Sequence, residues 1–278
     1  MMTQCPHCRE SSEVNDALNG LFIQCPACGR GFRAGPIAVA PVSAVPPPLP
    51  PAGPPFTSPI PRARLAAAFL IAGIALSVVS VWSSQGQLDL LRRIERGDDV
   101  GEPEIESNDR RESAIGLLGL AVHLPGVVLY LCWKYRAYKN LGPLQAGRMR
   151  FSPGGSVGWY FCPLLNLYKP VQAMGDIADG SIPPGQVGRG VRAIIPFWWL
   201  VWILDGVASQ VAFRAALRAE GVSALVGATN LDIASSGLTI VSNALTLLLV
   251  WRLSRAQVER WRALAGPANP EVPVGGPR

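Results

Sequence analysis

Four stretches of this chain, Leu65 to Trp82, Ala114 to Trp133, Ala193 to Val211 and Leu231 to Trp251, run 18, 20, 19 and 21 residues with almost no formal charge. At about 1.5 Å per residue, each is long enough as a helix to cross the ~30 Å hydrocarbon layer of a bilayer. Unpaired backbone groups are so costly there that an apolar stretch of this length crosses as a helix or not at all. Composition agrees, with 49% apolar and only 16% charged residues. Each stretch also contains Trp or Tyr near one end, where amphipathic rings settle at the membrane–water boundary. The fold class expected is therefore an all-α multi-pass membrane protein of four transmembrane helices.

Its orientation follows from the cations outside the spans, because cytoplasmic segments retain the excess of Lys and Arg. Residues 1–64, 134–192 and 252–278 carry five, eight and five, whereas the other two connections, 84–113 and 212–230, carry five and two. That split of eighteen to seven places both termini in the cytoplasm and the protein in the cell (inner) membrane. The opening residues 1–34 are polar and Cys-rich and do not read as a cleavable signal peptide. The use of 22 Arg against 3 Lys points to a GC-rich bacterial genome.

Cys5-Pro6-His7-Cys8 and Cys25-Pro26-Ala27-Cys28 form two Cys-x-x-Cys pairs with sixteen residues between them. Two such knuckles complete a tetrahedron of thiolates around Zn²⁺ at about 2.3 Å, with no position open for catalysis. Two rivals are weaker: a thioredoxin-like redox pair lacks its βαβ surroundings, and two disulfides require an oxidising compartment. Asn19-Gly20 followed by Leu21-Phe22-Ile23 predicts a type I′ hairpin carrying the second pair. Val14, Phe22 and Phe32 supply so little core that metal binding has to drive folding. Residues 1–34 hold three Arg against three acids, and four thiolates on Zn²⁺ add a formal −2, so no basic footprint for nucleic acid exists. Protein contact, or plain folding autonomy, is the expected use.

With Val14, Gly20 and Phe32 at their places between and after the knuckles, Cys5 to Phe32 resembles the short zinc ribbon catalogued as a zinc finger/thioredoxin domain. A second resemblance rests on Trp133-Lys134-Tyr135-Arg136-Ala137-Tyr138-Lys139-Asn140-Leu141, then Phe151-Ser152-Pro153-Gly154, then Gly158-Trp159-Tyr160-Phe161 and Asn166-Leu167-Tyr168-Lys169-Pro170-Val171-Gln172-Ala173-Met174. Over residues 65–255 the chain resembles the bacterial membrane family termed domain of unknown function 4328, departing from its pattern at Gly155, where Trp is usual. The resemblance implies a fold and no activity.

The domains expected are a zinc ribbon at 1–34, a Pro-rich disordered linker at 35–61, the four-span domain at 62–265 and a disordered tail at 266–278. The linker holds eleven Pro in the 27 residues from Gly35 to Pro61, which excludes helix and sheet. It reads first as an extended spacer and second as a docking site for a proline-binding domain. Ser83 to Ser113 carries nine acids against five Arg, with a short amphipathic helix at Leu88 to Ile94 and a solvated remainder.

Val157 to Tyr168 is only twelve residues long, is interrupted by Pro163, and should be an interfacial or re-entrant helical segment rather than a fifth span. Lys134, Arg136, Lys139, Arg148, Arg150, Trp159 and Lys169 around it are the residues expected to meet anionic lipid headgroups. Membrane lipids are the partner this implies.

Within the spans, Asp232, Ser235, Thr239, Ser242 and Thr246 recur at 3-4-3-4 spacing, with Asn243 widening the stripe. Gly116, Gly119, His123 and Gly126 line one face of the second span. His123 and Asp205 are expected to face the bundle interior near the stripe, since intramembrane ionisable groups are costly when unpaired. The stripe reads first as packing glue and second as a polar or proton-conducting path.

Gly154-Gly155-Ser156-Val157-Gly158 matches G-x-S-x-G without the strand, helix or His that a nucleophile needs. No enzymatic activity is expected. The function expected is regulatory or scaffolding, by a membrane protein presenting a cytosolic zinc ribbon to an unidentified protein partner. The alternative is a small transporter or channel using the stripe.

Overall fold

A computed structural model describes residues 1–35, 55–147, 149–182 and 189–265. The chain divides into two compact units, Met1–Ala52 and Gly53–Arg278. Most of the expected linker, the expected tail and Arg148 lie outside the described residues.

In the first unit, β1 (Met2–Gln4) pairs antiparallel with β2 (Ser11–Glu13), and β3 (Phe22–Gln24) with β4 (Gly31–Arg33). Each hairpin closes over a Cys-Pro-x-Cys knuckle, and Asn19-Gly20 lies between the hairpins rather than at the tip of one. Asn19 sits at φ −60°, Gly20 at +80°, and the Leu21 N–H donates to the Leu18 carbonyl at 3.1 Å. That is a type II turn, not type I′, because only the second central residue is left-handed. It ends the short 3₁₀ turn Asp16–Leu18 and delivers the chain into β3. The core is smaller than expected: Cys5, Cys25 and Phe32 are buried with Ile23 against them, while Phe22 is 75% exposed.

In the second unit the elements are α1 (Ile60–Glu95), α2 (Glu102–Lys139), α3 (Gly155–Gly158), α4 (Lys169–Ser181), α5 (Arg189–Arg218) and α6 (Val222–Ala265). Among the described residues, α1, α2, α5 and α6 are long and apolar enough to cross a membrane. They pack in the order α2, α1, α6, α5, and α4 lies against α5, α6 and α2. Pro125 and Pro196 sit inside continuous helices, as neighbouring elements in membrane bundles permit.

The acidic connection differs from expectation, because α1 runs on to Glu95 and α2 begins at Glu102, leaving only residues 96–101 between them. The expected amphipathic helix is the end of α1, with Leu88, Leu90 and Leu91 buried. The helices are stitched there by Arg93–Glu104 (2.6 Å), Ser83–Glu112 (2.6 Å) and Arg111–Ser83 (2.7 Å). From Trp82 to Glu95 this adds about 20 Å of helix beyond the apolar window. α6 likewise runs on past its apolar window to Ala265, with Leu253, Ser254, Gln257 and Arg260 facing inward and Leu264 exposed.

The largest core lies where the end of α2, α4, the start of α5 and the second half of α6 converge. Trp133, Tyr138, Met174, Ile177, Trp198 and Leu249 are each at most 1% exposed there. α4 buries Pro170, Ala173, Met174, Ile177, Ala178 and Ser181, spaced three and four apart on one helical face. By contrast, nothing in the most apolar eighteen-residue window of α2 is buried within the protein.

Candidate functional site

The four cysteines form the most compact group of candidate ligands. All four sulfurs lie within 4.8 Å of one another, with Cys5–Cys28 at 3.8 Å and Cys8–Cys25 at 3.6 Å. A disulfide needs sulfurs at about 2.05 Å, whereas a tetrahedron of 2.3 Å metal–sulfur bonds has edges of about 3.8 Å. The spacing fits an ion. Both knuckles are built alike: the Cys5 and Cys25 N–H groups donate to the carbonyls of Glu10 and Arg30, and their carbonyls accept from Arg9 and Gly29. Arg9 and Gly29 occupy the same left-handed corner, at φ 59° and 70°.

The Cys28 and Ala27 backbone N–H groups hold the Cys25 thiol down to about 7. Cys8 moves the opposite way, to about 12: the Glu10 backbone lowers it, but desolvation and hydrogen bonds from Cys25, Cys28 and Cys5 outweigh that. Four sulfurs this close cannot all carry charge without a cation among them.

A second constellation gathers the motif after the second span. Trp133 Nε1 donates to Ser254 Oγ at 2.8 Å, binding α2 to α6. Lys134, expected at the lipid headgroups, is instead fully buried. Its Nζ donates to the Tyr160 hydroxyl at 2.8 Å and the Pro170 carbonyl at 3.0 Å, with the Tyr160 ring 4.6 Å away. Tyr138 donates to Asp176 at 3.0 Å and accepts from the Phe151 N–H at 2.9 Å, while Arg150 pairs with the same carboxylate at 3.1 Å. Asn140 reaches both the Thr57 carbonyl at 2.8 Å and Gln257 at 3.1 Å, and Gln257 donates to the Ala137 carbonyl at 2.8 Å. Phe56 stacks on Trp261 at 5.0 Å, so the strap before α1 is pinned at two points. The motif thus works as a clamp joining α2, α4, α6, the strap and the 151–168 segment.

That segment consists of α3 and two 3₁₀ turns, too short and broken to span. Tyr160 lies against Tyr130 and Trp202, and Trp199 Nε1 donates to the Leu167 carbonyl at 2.8 Å, so the segment is seated between α2 and α5. Phe161 and Leu164 point outward, 74% and 79% exposed. Of the other residues expected at the interface, Lys169 covers the Phe151 and Tyr168 rings, and Lys139 lies 6.0 Å from the Tyr135 ring. Trp159 Nε1 and Arg136 Nε are buried without a partner among the described residues. Sequence reasoning missed Tyr138, Asn140, Asp176, Gln257 and Arg260. Their partners lie 13 to 120 residues away, beyond any local signal.

The intramembrane stripe is assembled in part. Thr239 Oγ1 donates to Asp205 Oδ1 at 2.7 Å. Ser84 donates to Asp232 at 3.2 Å, Ser235 bonds back to the Asp232 carbonyl, and Trp198 Nε1 donates to Thr246 at 2.8 Å. Asn243 sits where a side chain on Gly73 would be, 2.9 Å from the position of its missing Cβ. His123 departs from expectation: it is exposed, and Gly116 and Gly119 beside it face open space. Only Gly126 of that face meets a neighbour, Phe69.

These features define a helical protein with four helices able to span a membrane and a separate four-cysteine module. The model for Domain of unknown function (DUF4328) matches residues 96–255, more than half of the chain, which therefore belongs to that family. No curated protein and no solved structure matches it.

Proposed function

We propose that this protein is a regulatory or scaffolding component of the cell membrane, its four helices spanning the bilayer with both termini in the cytoplasm. Its cysteine module holds one Zn²⁺ and contacts a protein partner. The observation that carries this reading is the group of four sulfurs at tetrahedral spacing on two hairpins of three-residue strands, with almost no other core. A closed thiolate set supplies no catalytic position, so the metal's contribution is to fold a small recognition surface. Partners captured by the full chain in detergent, compared with those of Cys25→Ser, test it directly. A metal-dependent partner is expected, and an identical set with and without metal would refute the role.

A second reading, a small transporter, draws on the Asp205–Thr239 and Ser84–Asp232 pairs. Inward of Thr246, however, Leu249, Val250 and Leu253 are each at most 1% exposed and form an apolar seal. That seal favours packing over passage. Ion or proton flux in liposomes that disappears in Asp205→Asn would restore the transport reading.

A further inference from the structure

A cavity of about 800 Å³ opens at the α4 end of the second unit, beneath the clamp. Its volume falls within the range of small-molecule sites. Leu141, Ala146, Met149 and Ile182 give it apolar walls, and Arg150, Asp176, Asp179 and Arg260 give it charge.

These four charges sum to zero, but they are not all paired with one another, because Asp179 is engaged from outside the lining. Asp176 is held by Arg150, Tyr138 and the Arg150 N–H, so its oxygens are occupied. Asp179 pairs with Arg192. Arg260 is left over: it is 9% exposed, and among the described residues its guanidinium meets only the carbonyls of Ile182 (3.1 Å) and Gln145 (3.3 Å). A buried guanidinium without a carboxylate is expensive, and a second charge of opposite sign offsets that cost. Gln145 is held at φ 50°, a left-handed conformation that aims its carbonyl at Arg260. Arg260 thereby ties together two rims of the cavity, the loop at Gln145 and the end of α4.

We propose that this cavity binds a phosphoryl anion carried on an apolar body, with Arg260 as the anchoring cation. Guanidinium is the side chain best matched to phosphate, offering planar paired donors, and apolar walls beside it select a ligand with an organic portion. The same chemistry is offered by a soluble organic phosphate and by an anionic phospholipid headgroup. Occupancy at Arg260 would brace both rims at once, giving the clamp above it a ligand-dependent rigidity. This inference stands apart from the zinc reading, since none of its residues lies in the cysteine module.

The test uses the full chain in phosphatidylcholine nanodiscs, with phenyl phosphate titrated by calorimetry. Saturable binding is expected, weakened about tenfold or more in Arg260→Gln, as loss of a charge-assisted contact implies. In nanodiscs containing phosphatidylglycerol, loss of phenyl phosphate binding would identify the headgroup as the source, and unchanged binding would identify the soluble ligand. Should Arg260→Gln fail to fold, Met149→Trp, which fills the rim without touching the guanidinium, is expected to weaken binding instead. Absence of binding in both nanodiscs together with no phosphatidylglycerol-dependent thermal stabilisation, equal affinity in the folded variant, or preference for benzylammonium would each overturn the proposal.

Discussion

The cysteine module and the clamp at the end of α2 do the same physical task with opposite materials. Each holds short, irregular segments in one arrangement by converging polar side chains. In the module the four candidate ligands come from two local knuckles, and the apolar core is Cys5, Cys25 and Phe32 with little else. In the clamp, each bond joins residues far apart in sequence, inside a core containing Trp133, Tyr138, Trp198 and Leu249. A metal can replace a core because its coordination free energy is large. Individual hydrogen bonds cannot, and they specify geometry only where apolar burial already supplies the stability.

The largest effect expected therefore belongs to the module. Cys25→Ser, or strong chelation, should abolish metal binding and render residues 1–35 of the full chain protease-sensitive while leaving the helical signal of the second unit intact. Acid should act in the same direction, since protons compete with metal for the thiolates: metal is retained at high pH and released as pH falls. Metal analysis and limited proteolysis across a pH series check both. A module that stays protected without metal would erase the contrast between the two regions.

Within the clamp, Asn140→Ala should destabilise the protein by about 1–3 kcal/mol, because the buried Gln257 amide and the Thr57 carbonyl lose their partner. Thermal unfolding in detergent would measure it, and the loss should fall on the second unit alone. Lys134→Met offers the sharper comparison. Lys134 has no carboxylate partner among the described residues, so an apolar replacement of similar length should cost less than Asn140→Ala.

The two regions also differ in how far the sequence reveals them. Cys5, Cys8, Cys25 and Cys28 are legible because metal geometry is encoded in spacing over a few residues. The spans are legible because a bilayer demands length and apolarity that no other environment demands. The inward turn of Lys134 and Arg260 was hidden, since cations at helix ends outside apolar windows ordinarily meet headgroups or water. What turns them inward is tertiary: Tyr160 arrives from the broken segment to cap Lys134, and the end of α4 brings the Ile182 carbonyl to Arg260. Asn19-Gly20 misled for a local reason, because Gly at the second position serves type II as readily as type I′.

Glycines grade the packing of the second unit from tight to open. At Gly180 an added Cβ would lie 2.6 Å from both Ala146 and Leu141, so Gly180→Ala must displace the loop beneath α4. A destabilisation of about 1–3 kcal/mol is expected by thermal unfolding, as for other overpacked sites. No loss on Gly180→Ala would mean that the loop yields freely and that the clamp is looser than its hydrogen bonds imply.

The smallest effect within one chain is expected at Gly119, on the face of α2 that carries exposed His123. Nothing lies within 4 Å of a Cβ placed there, so Gly119→Ala removes no contact inside the protein. The substitution even favours helix intrinsically, by up to about 1 kcal/mol. Thermal stability of the protein in dilute detergent should therefore be unchanged or slightly raised. The same substitution discriminates what covers that face in the bilayer. Lipid chains adapt to one methyl group, and Gly119→Ala would then be silent at every protein concentration. A close-packed helix from a second copy would not adapt, because small residues at such an interface set how nearly two backbones approach. A concentration-dependent loss of stability, absent in dilute samples, would show that α2 is completed by another chain rather than by lipid.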